Sequence, residues 1–266
     1  MSRALLIDAG NSRIKWSLVE TGAAARTLAT GVFDHGDEAL QKGPLGQLET
    51  PARVVISNVA GAEAAARIAD LLGQVWATVP CVWVRSQAHQ AGVTNGYREA
   101  SELGTDRWCG LIGAHAAYPG EHLLIATIGT ATTLEALRAD GYFAGGLIAP
   151  GWTLMMESLG QRTAQLPSLH ADDATQALRS LEREEHHRSA FACDTRTSLS
   201  EGSRAAQAAL IEYGWREAQT LFDGPVRCVL GGGAAHAIGA ALRIPFTRHD
   251  GLVLAGLALV ARELAQ

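Results

Sequence analysis

Lysine is nearly missing from this sequence: Lys15 and Lys42 are the only two among 22 basic side chains in 266 residues. Against 27 acidic residues this leaves a formal net charge of −5, and charged residues make up only 18% of the chain. No run of like charge reaches the length of a nucleic-acid or membrane patch, so neither partner is expected. Cysteine is scarce as well. Cys81, Cys109, Cys193 and Cys228 are too few and too far apart for a disulfide framework or a CxxC zinc or redox site, which leaves buried or idle thiols in a reducing compartment. Long apolar runs are absent too. The most apolar late stretch, Leu252 to Val260, is interrupted by Gly256 and falls short of the roughly 20 residues that span a bilayer; it reads as a buried C-terminal helix. The N-terminus enters Ala4-Leu5-Leu6-Ile7-Asp8 with no basic n-region or cleavage site, so no signal peptide is expected and the location implied is cytoplasmic. What the chain does have is a 47% hydrophobic composition and enough length to bury a sizeable core, as one large domain or two ordinary ones.

The apolar pattern then shows an internal repeat. Ala4 to Asp8, Ile14 to Val19 and Thr27 to Phe33 read as strands, the second with Ile14, Trp16 and Leu18 alternating with Lys15 and Ser17. Val54 to Ile56 and Val82 to Val84 are further short strands, Glu63 to Leu72 has helical spacing, and a helix from about 106 to 118 closes on Pro119-Gly120. The pattern restarts there: strand Leu123 to Ile128, turn Gly129-Thr130-Ala131, strand Thr132 to Leu137, and a third strand from Tyr142 to Ile148. Helical material from about Thr153 to Leu159, a polar stretch through Asp172 to Arg188, a helix from about Arg204 to Phe222 and the strand Val226 to Leu230 follow. The restart predicts two similar domains, 1–118 and 119–266.

Two glycine turns occupy equivalent places in the repeats. In Asp8-Ala9-Gly10-Asn11-Ser12, Gly10 permits close approach of a ligand, Asn11 and Ser12 bring short donors beside turn amides, and Lys15 lies one strand segment away as a phosphate contact. Asp8 at the strand end could orient a magnesium-bound water. Gly129-Thr130-Ala131-Thr132-Thr133 is the second turn. An ordinary hairpin uses the same residues; the pairing of two hydroxyl-lined turns, facing one another from related domains, is what points to a clamp on nucleotide phosphates in an interdomain cleft. A Walker A Gly-Lys is absent, and Gly231-Gly232-Gly233-Ala234-Ala235-His236 lacks the last glycine of a dinucleotide fingerprint. That run fits either an approach to adenosine or a plain strand-to-helix turn.

Leu103-Gly104-Thr105-Asp106-Arg107-Trp108 sets a carboxylate beside a guanidinium at a helix start, equipped to take a proton from a hydroxyl and to hold an anionic group; a first-turn helix carboxylate with a surface arginine is the structural alternative. The glycines and prolines from Gly145 through Gly151 to Pro167 suit a substrate-pocket wall or a structural turn equally. His186-His187 beside Glu184-Glu185 reads as a solvated face, because adjacent helical residues point apart.

Through Asp8-Ala9-Gly10-Asn11-Ser12, Leu103-Gly104-Thr105-Asp106-Arg107, Gly129-Thr130-Ala131-Thr132-Thr133 and the segment from Gly146 to Pro167, the sequence resembles the type III pantothenate kinases, in the branch that includes Bvg accessory factors. The resemblance covers nearly the whole chain. It implies an α/β fold of two ribonuclease-H-like domains of the actin, sugar kinase and heat-shock ATPase superfold with a cleft between them. It implies ATP-dependent phosphorylation of pantothenate to 4′-phosphopantothenate, the first step of coenzyme A synthesis. Magnesium would accompany ATP, a monovalent cation (K+ or NH4+) would assist, and the protein would be a homodimer. By resemblance Asp106 is the proton acceptor, with Gly104, Thr105, Arg107 and Tyr97 around pantothenate, and Thr195 is a further substrate contact placed by its spacing to Gly202. Asp8 to Lys15, with Gly10, Asn11 and Ser12, corresponds to the first phosphate loop, and Thr130 after Gly129 to an ATP contact. The sequence departs from the family at Thr127, where an aspartate often ligates the monovalent cation and a neutral hydroxyl is the poorer ligand; Ala100 and Glu201 also replace a customary proline and serine. A different small-molecule kinase of the superfold, or a non-catalytic regulatory accessory factor, are the alternatives that the same turns allow.

Overall fold

The computed structural model describes residues 2–22, 25–35, 44–163, 166 and 191–265. The stretch from Asp172 to Arg188, with Glu184-Glu185 and His186-His187, lies outside them, as do Ala164, Gln165 and Pro167 of the glycine- and proline-rich segment. By its contacts the chain forms two compact units. One comprises Met1–Gly120, Asp140–Phe143 and Gly251–Gln266; the other comprises Glu121–Ala139 and Ala144–Asp250.

The first unit holds β1 (Ser2–Ala9), β2 (Arg13–Thr21), β3 (Arg26–Asp34), β4 (Arg53–Asn58) and β5 (Cys81–Trp83), in the order β3-β2-β1-β4-β5. Strand β2 runs antiparallel to β1 and β3, whereas β4 is parallel to β1 and β5 parallel to β4. Strand β1 is the middle of the five, and its successive residues Leu5, Leu6 and Ile7 are all buried, which is why its apolar run is continuous where β2 alternates. Helix α1 (Gly61–Val75) buries Ala64, Ile68, Leu71 and Leu72, the stripe that 3.6 residues per turn dictates. Ile68, Leu71 and Leu72 join Leu5, Ile7, Val54 and Ile56 in one core. A short hairpin of β6 (His89–Gln90) and β7 (Val93–Asn95) and helix α2 (Thr105–Ala117) complete this part.

The second unit repeats the plan. Strands β8 (His122–Ile128) and β9 (Ala131–Leu137) form an antiparallel pair followed by β10 (Tyr142–Pro150), whose first two residues, Tyr142 and Phe143, belong to the first unit and pair there with β7. After helices α3 (Trp152–Arg162) and α4 (Thr195–Phe222), β11 (Val226–Gly231) runs parallel to β8; beyond the short α5 (Ala235–Gly239), β12 (Phe246–Arg248) is parallel to β11. The order β10-β9-β8-β11-β12 has the same succession and the same parallel crossovers as β3-β2-β1-β4-β5. The restart near residue 123 is thus matched by strand order and by the directions of β8, β9, β11 and β12. Leu124, Ile128, Leu134, Trp152, Ile211 and Leu230 form this unit's core.

Two differences from the sequence expectation have clear causes. Helix α4 begins at Thr195, well before Arg204, because the Asp194 carboxylate accepts the Thr197 amide (2.9 Å) and caps a polar first stretch of low apolar content. The closing helix α6 (Leu252–Glu263) groups with the first unit, which a division at residue 118 does not anticipate. It packs on α2 so closely that a Cβ at Gly256 would overlap the Cys109 carbonyl, and one at Gly113 the Leu252 carbonyl. Glycine is what lets these two backbones touch.

Candidate active site

In the first unit, strand pairing assembles the acidic end of the site. Asp8, the next-to-last residue of β1, stands opposite Lys15 of β2 on one side and Ser57 of β4 on the other. Its carboxyl is buried, and burial lifts its pKa from the ordinary 3.8 to about 6; Lys15 pulls it down and the Asp106 carboxylate pushes it further up. The two carboxylates are thus electrostatic neighbours. Burial likewise drives the Cys109 thiol, one turn along α2, well above its usual range, with Asp8 and Asp106 adding to it, so this cysteine stays a thiol. The turn after β1 is closed by the Gly10 amide donating to the Arg13 carbonyl (3.1 Å), with Asn11 and Ser12 exposed at its tip.

Asp106 sits in the first turn of α2, half-buried, its carboxylate accepting the amide of Arg107 (2.7 Å). The helix start is pinned to the end of β4 by the hydroxyl pair Ser57–Thr105 (2.9 Å), and Thr105 also donates to the Asn58 carbonyl (3.4 Å). Gly104 precedes it without a side chain because a Cβ there would stand 2.8 Å from Asp106 Oδ1. Arg107 donates from Nη1 to the Tyr97 hydroxyl (3.1 Å), and its guanidinium lies 5.8 Å from the Tyr97 ring centroid and 6.0 Å from that of Phe143. The two rings touch at 5.3 Å. Tyr97 itself is placed by Asn95, whose side chain accepts the Tyr97 amide (3.0 Å) and donates to Ala100 (3.2 Å). Arg107 is thereby held in one orientation, beside the carboxylate that precedes it.

In the second unit, the Gly129-Thr130 turn joins β8 to β9 with both residues exposed, closed by the Gly129 amide on the Ala131 carbonyl (3.0 Å). The Gly151 amide donates to the Thr130 carbonyl (2.9 Å), and a Cβ at Gly151 would overlap the Gly129 carbonyl, so the β10 to α3 connection buttresses the turn. Behind it, buried Gln207 of α4 accepts from the Thr132 hydroxyl and donates to the Pro150 carbonyl (2.8 Å) and to Met155 Sδ (3.1 Å). Thr127 is exposed on β8, paired with Thr133. Thr195 is exposed at the first position of α4.

Of the residues singled out from the sequence, Asp8, Lys15, Tyr97, Gly104, Thr105, Asp106 and Arg107 come together in the first unit, and Gly129 and Thr130 form one turn in the second. Ser57, Asn95, Phe143 and Gln207 were missed. Ser57-Asn58 had a readable signal, polar residues at the carboxyl end of a buried parallel strand, where α/β sheets place their ligands; Gln207 had none, being one polar residue in a polar helix. Among the described residues no three of His, Cys, Asp and Glu gather into a metal-holding group.

The duplicated strand order, with an acidic residue next to last in β1, is that of the actin, sugar kinase and heat-shock ATPase fold, and solved structures agree. A ROK family glucokinase from Streptomyces griseus, in complex with glucose and AMPPNP, matches with a TM-score of 0.52 at 14% identity over 98% of this chain and 99% of its own. The activator of the 2-hydroxyisocaproyl-CoA dehydratase from Clostridium difficile, with bound ADPNP, matches with a TM-score of 0.53 at 14% identity, covering 99% and 95%. Sequence goes further. The profile of type III pantothenate kinases matches residues 4–217, and a type III pantothenate kinase of Burkholderia thailandensis is 58% identical over 259 residues, 97% of this chain and 98% of that relative. The chain belongs to the type III pantothenate kinase family.

Proposed function

We propose that the chain transfers the γ-phosphoryl group of ATP to the primary hydroxyl of pantothenate, forming 4′-phosphopantothenate and ADP. The observation that carries this reading is the placement, in a chain of this family, of the Asp106 carboxylate beside an arginine oriented by Tyr97 and Phe143. Arg107 pairs with the pantothenate carboxylate, and Gly104, Thr105, Tyr97 and Thr195 line the rest of the substrate. The substrate hydroxyl donates to Asp106. Its oxygen bonds to the γ-phosphorus as the bridging bond to the β-phosphate breaks, ADP departs with that bond's electrons, and Asp106 takes the proton late. Phosphoryl transfer depends mainly on positioning and charge, so a carboxylate placed at the substrate hydroxyl suffices as acceptor. Phosphate contacts come from the Gly10-Asn11-Ser12 turn with Lys15 and from Gly129 and Thr130.

Asp8 is the residue that would hold, through water, the magnesium that accompanies ATP. It fits: a buried carboxyl with a raised pKa, facing a second carboxylate, gains from an added positive charge. Bound there, the cation supplies neutralisation of phosphate charge. A monovalent cation would find the hydroxyl of Thr127 in place of a carboxylate, which predicts weak dependence on K+ or NH4+. We also infer a homodimer, supported by Leu147 and Ile148, exposed by 42% and 65% on β10, and place the enzyme in the cytoplasm. No helix among the described residues is long and apolar enough to cross a membrane.

A coupled assay for ADP with pantothenate as acceptor, run in potassium, ammonium and sodium, tests the activity. Product that depends on both ATP and pantothenate is expected; its absence in all three salts would overturn the reading. Light scattering reports the dimer, and a monomer at assay concentration would remove it.

A further inference from the structure

The first phosphate turn has a partner from outside its own hairpin. Strands β2 and β3 end their pairing at Arg13 and Asp34, right beside the turn. The next residue, His35, half-buried, places Nε2 2.7 Å from the carbonyl oxygen of Gly10. A carbonyl only accepts, so Nε2 carries the hydrogen, and both the neutral Nε2–H tautomer and the imidazolium meet that need. The Gly10 amide is already committed to the Arg13 carbonyl (3.1 Å). Both polar groups of Gly10 are therefore tied down.

The consequence follows from the planarity of the peptide unit. In the trans peptide joining Gly10 to Asn11, the C=O and N–H point in opposite directions. A glycine on one side of such a unit lets it rotate at little steric cost, exchanging an outward N–H for an outward carbonyl. In a turn that must receive phosphate, the two orientations are opposites: one offers a donor to the anion and the other a lone pair that repels it. We propose that His35 is a positioning residue for ATP, locking the Gly10–Asn11 peptide so that the Asn11 amide is directed away from the imidazole and toward the phosphates. This rests on the reading of the Asp8 to Lys15 turn as the phosphate loop. It assigns a role to a side chain in neither phosphate motif, contributed by the third strand's end.

The test uses two variants of the full chain and reads nucleotide binding apart from turnover. His35→Leu keeps the bulk and removes the donor; His35→Gln sets an amide N–H at the reach of Nε2. For His35→Leu, the Kd for MgATP by titration calorimetry and the KM for ATP should each rise about 3- to 10-fold, the scale of one lost net hydrogen bond. The KM for pantothenate should stay within about 2-fold, because the bond that is lost holds the Gly10 carbonyl of the phosphate turn and not a group assigned to pantothenate. His35→Gln should restore ATP affinity, with all three proteins melting alike. An unchanged Kd in His35→Leu, an equal loss in His35→Gln, or a parallel rise of both KM values overturns the proposal. Wild-type protein that binds MgATP without phosphorylating pantothenate would sink the kinase reading, leaving the calorimetric comparison to decide the role of His35. Wild-type protein that binds no MgATP would sink both.

Discussion

Asp8→Asn should make the protein more stable and inactive at once, and the size of the effect follows from the site. The folded-state pKa of Asp8 is raised from 3.8 to about 6, chiefly by burial. A carboxyl raised in the folded state contributes stability that is fully present below pH 3.8 and is lost as pH rises through about 6, because the unfolded chain ionises first. At about 1.4 kcal/mol per pKa unit, the ionised carboxylate costs the fold roughly 3 kcal/mol at pH 8 as an upper figure. Asparagine has the same shape and no charge to desolvate. At roughly 2–4 °C per kcal/mol for domains of this size, Asp8→Asn should melt up to about 6–12 °C above wild type at pH 8, and the gap should close toward pH 4. Differential scanning calorimetry at pH 4, 6 and 8 measures it, alongside the kinase assay. Equal melting temperatures at pH 8, or a gap that does not vary with pH, would refute the claim that this carboxylate is held against its solvation preference.

Asp106→Asn should keep the fold and pantothenate binding while turnover falls by about 2 to 4 orders of magnitude; near-normal turnover in the assay would remove Asp106 from the role of base. Gly104→Ala should lower kcat with little change in melting temperature, since its Cβ would stand 2.8 Å from Asp106 Oδ1 and displace the carboxylate; an unaltered kcat would show that the carboxylate relaxes freely. Gln207→Leu strips the partner from the buried Thr132 hydroxyl and from the Pro150 carbonyl, so urea melts should show a loss of roughly 1–3 kcal/mol or more. A neutral result there would mean the turn is held from elsewhere.

Part of this site can be read from residues alone. Both glycine turns stand out because each follows an apolar strand and precedes an alternating one, and the second copy makes the first more than a hairpin. Gly104 to Arg107 stands out because a carboxylate and a guanidinium adjoin at a helix start. The start of α4 at Thr195 was hidden, since Thr195 to Ser203 is rich in Thr and Ser, which rank low as helix formers until Asp194 caps them. The role of His35 was hidden for a different reason: a histidine after a strand resembles any other surface histidine until β3 pairs with β2 and brings it against Gly10.

The apolar strand rhythm, a local property, determined the duplicated α/β plan and the positions of its two glycine turns. Tertiary structure alone decided what surrounds them. It set the Asp8 carboxyl in a buried place beside Asp106, brought Tyr97 and Phe143 over Arg107, and put Gln207 behind the second turn. It also returned α6 to the first unit, where Gly256 meets Cys109. Strand and turn signals act over a few residues, whereas desolvation, ring contact and helix packing depend on partners tens to hundreds of positions away, and only the folded chain names those partners.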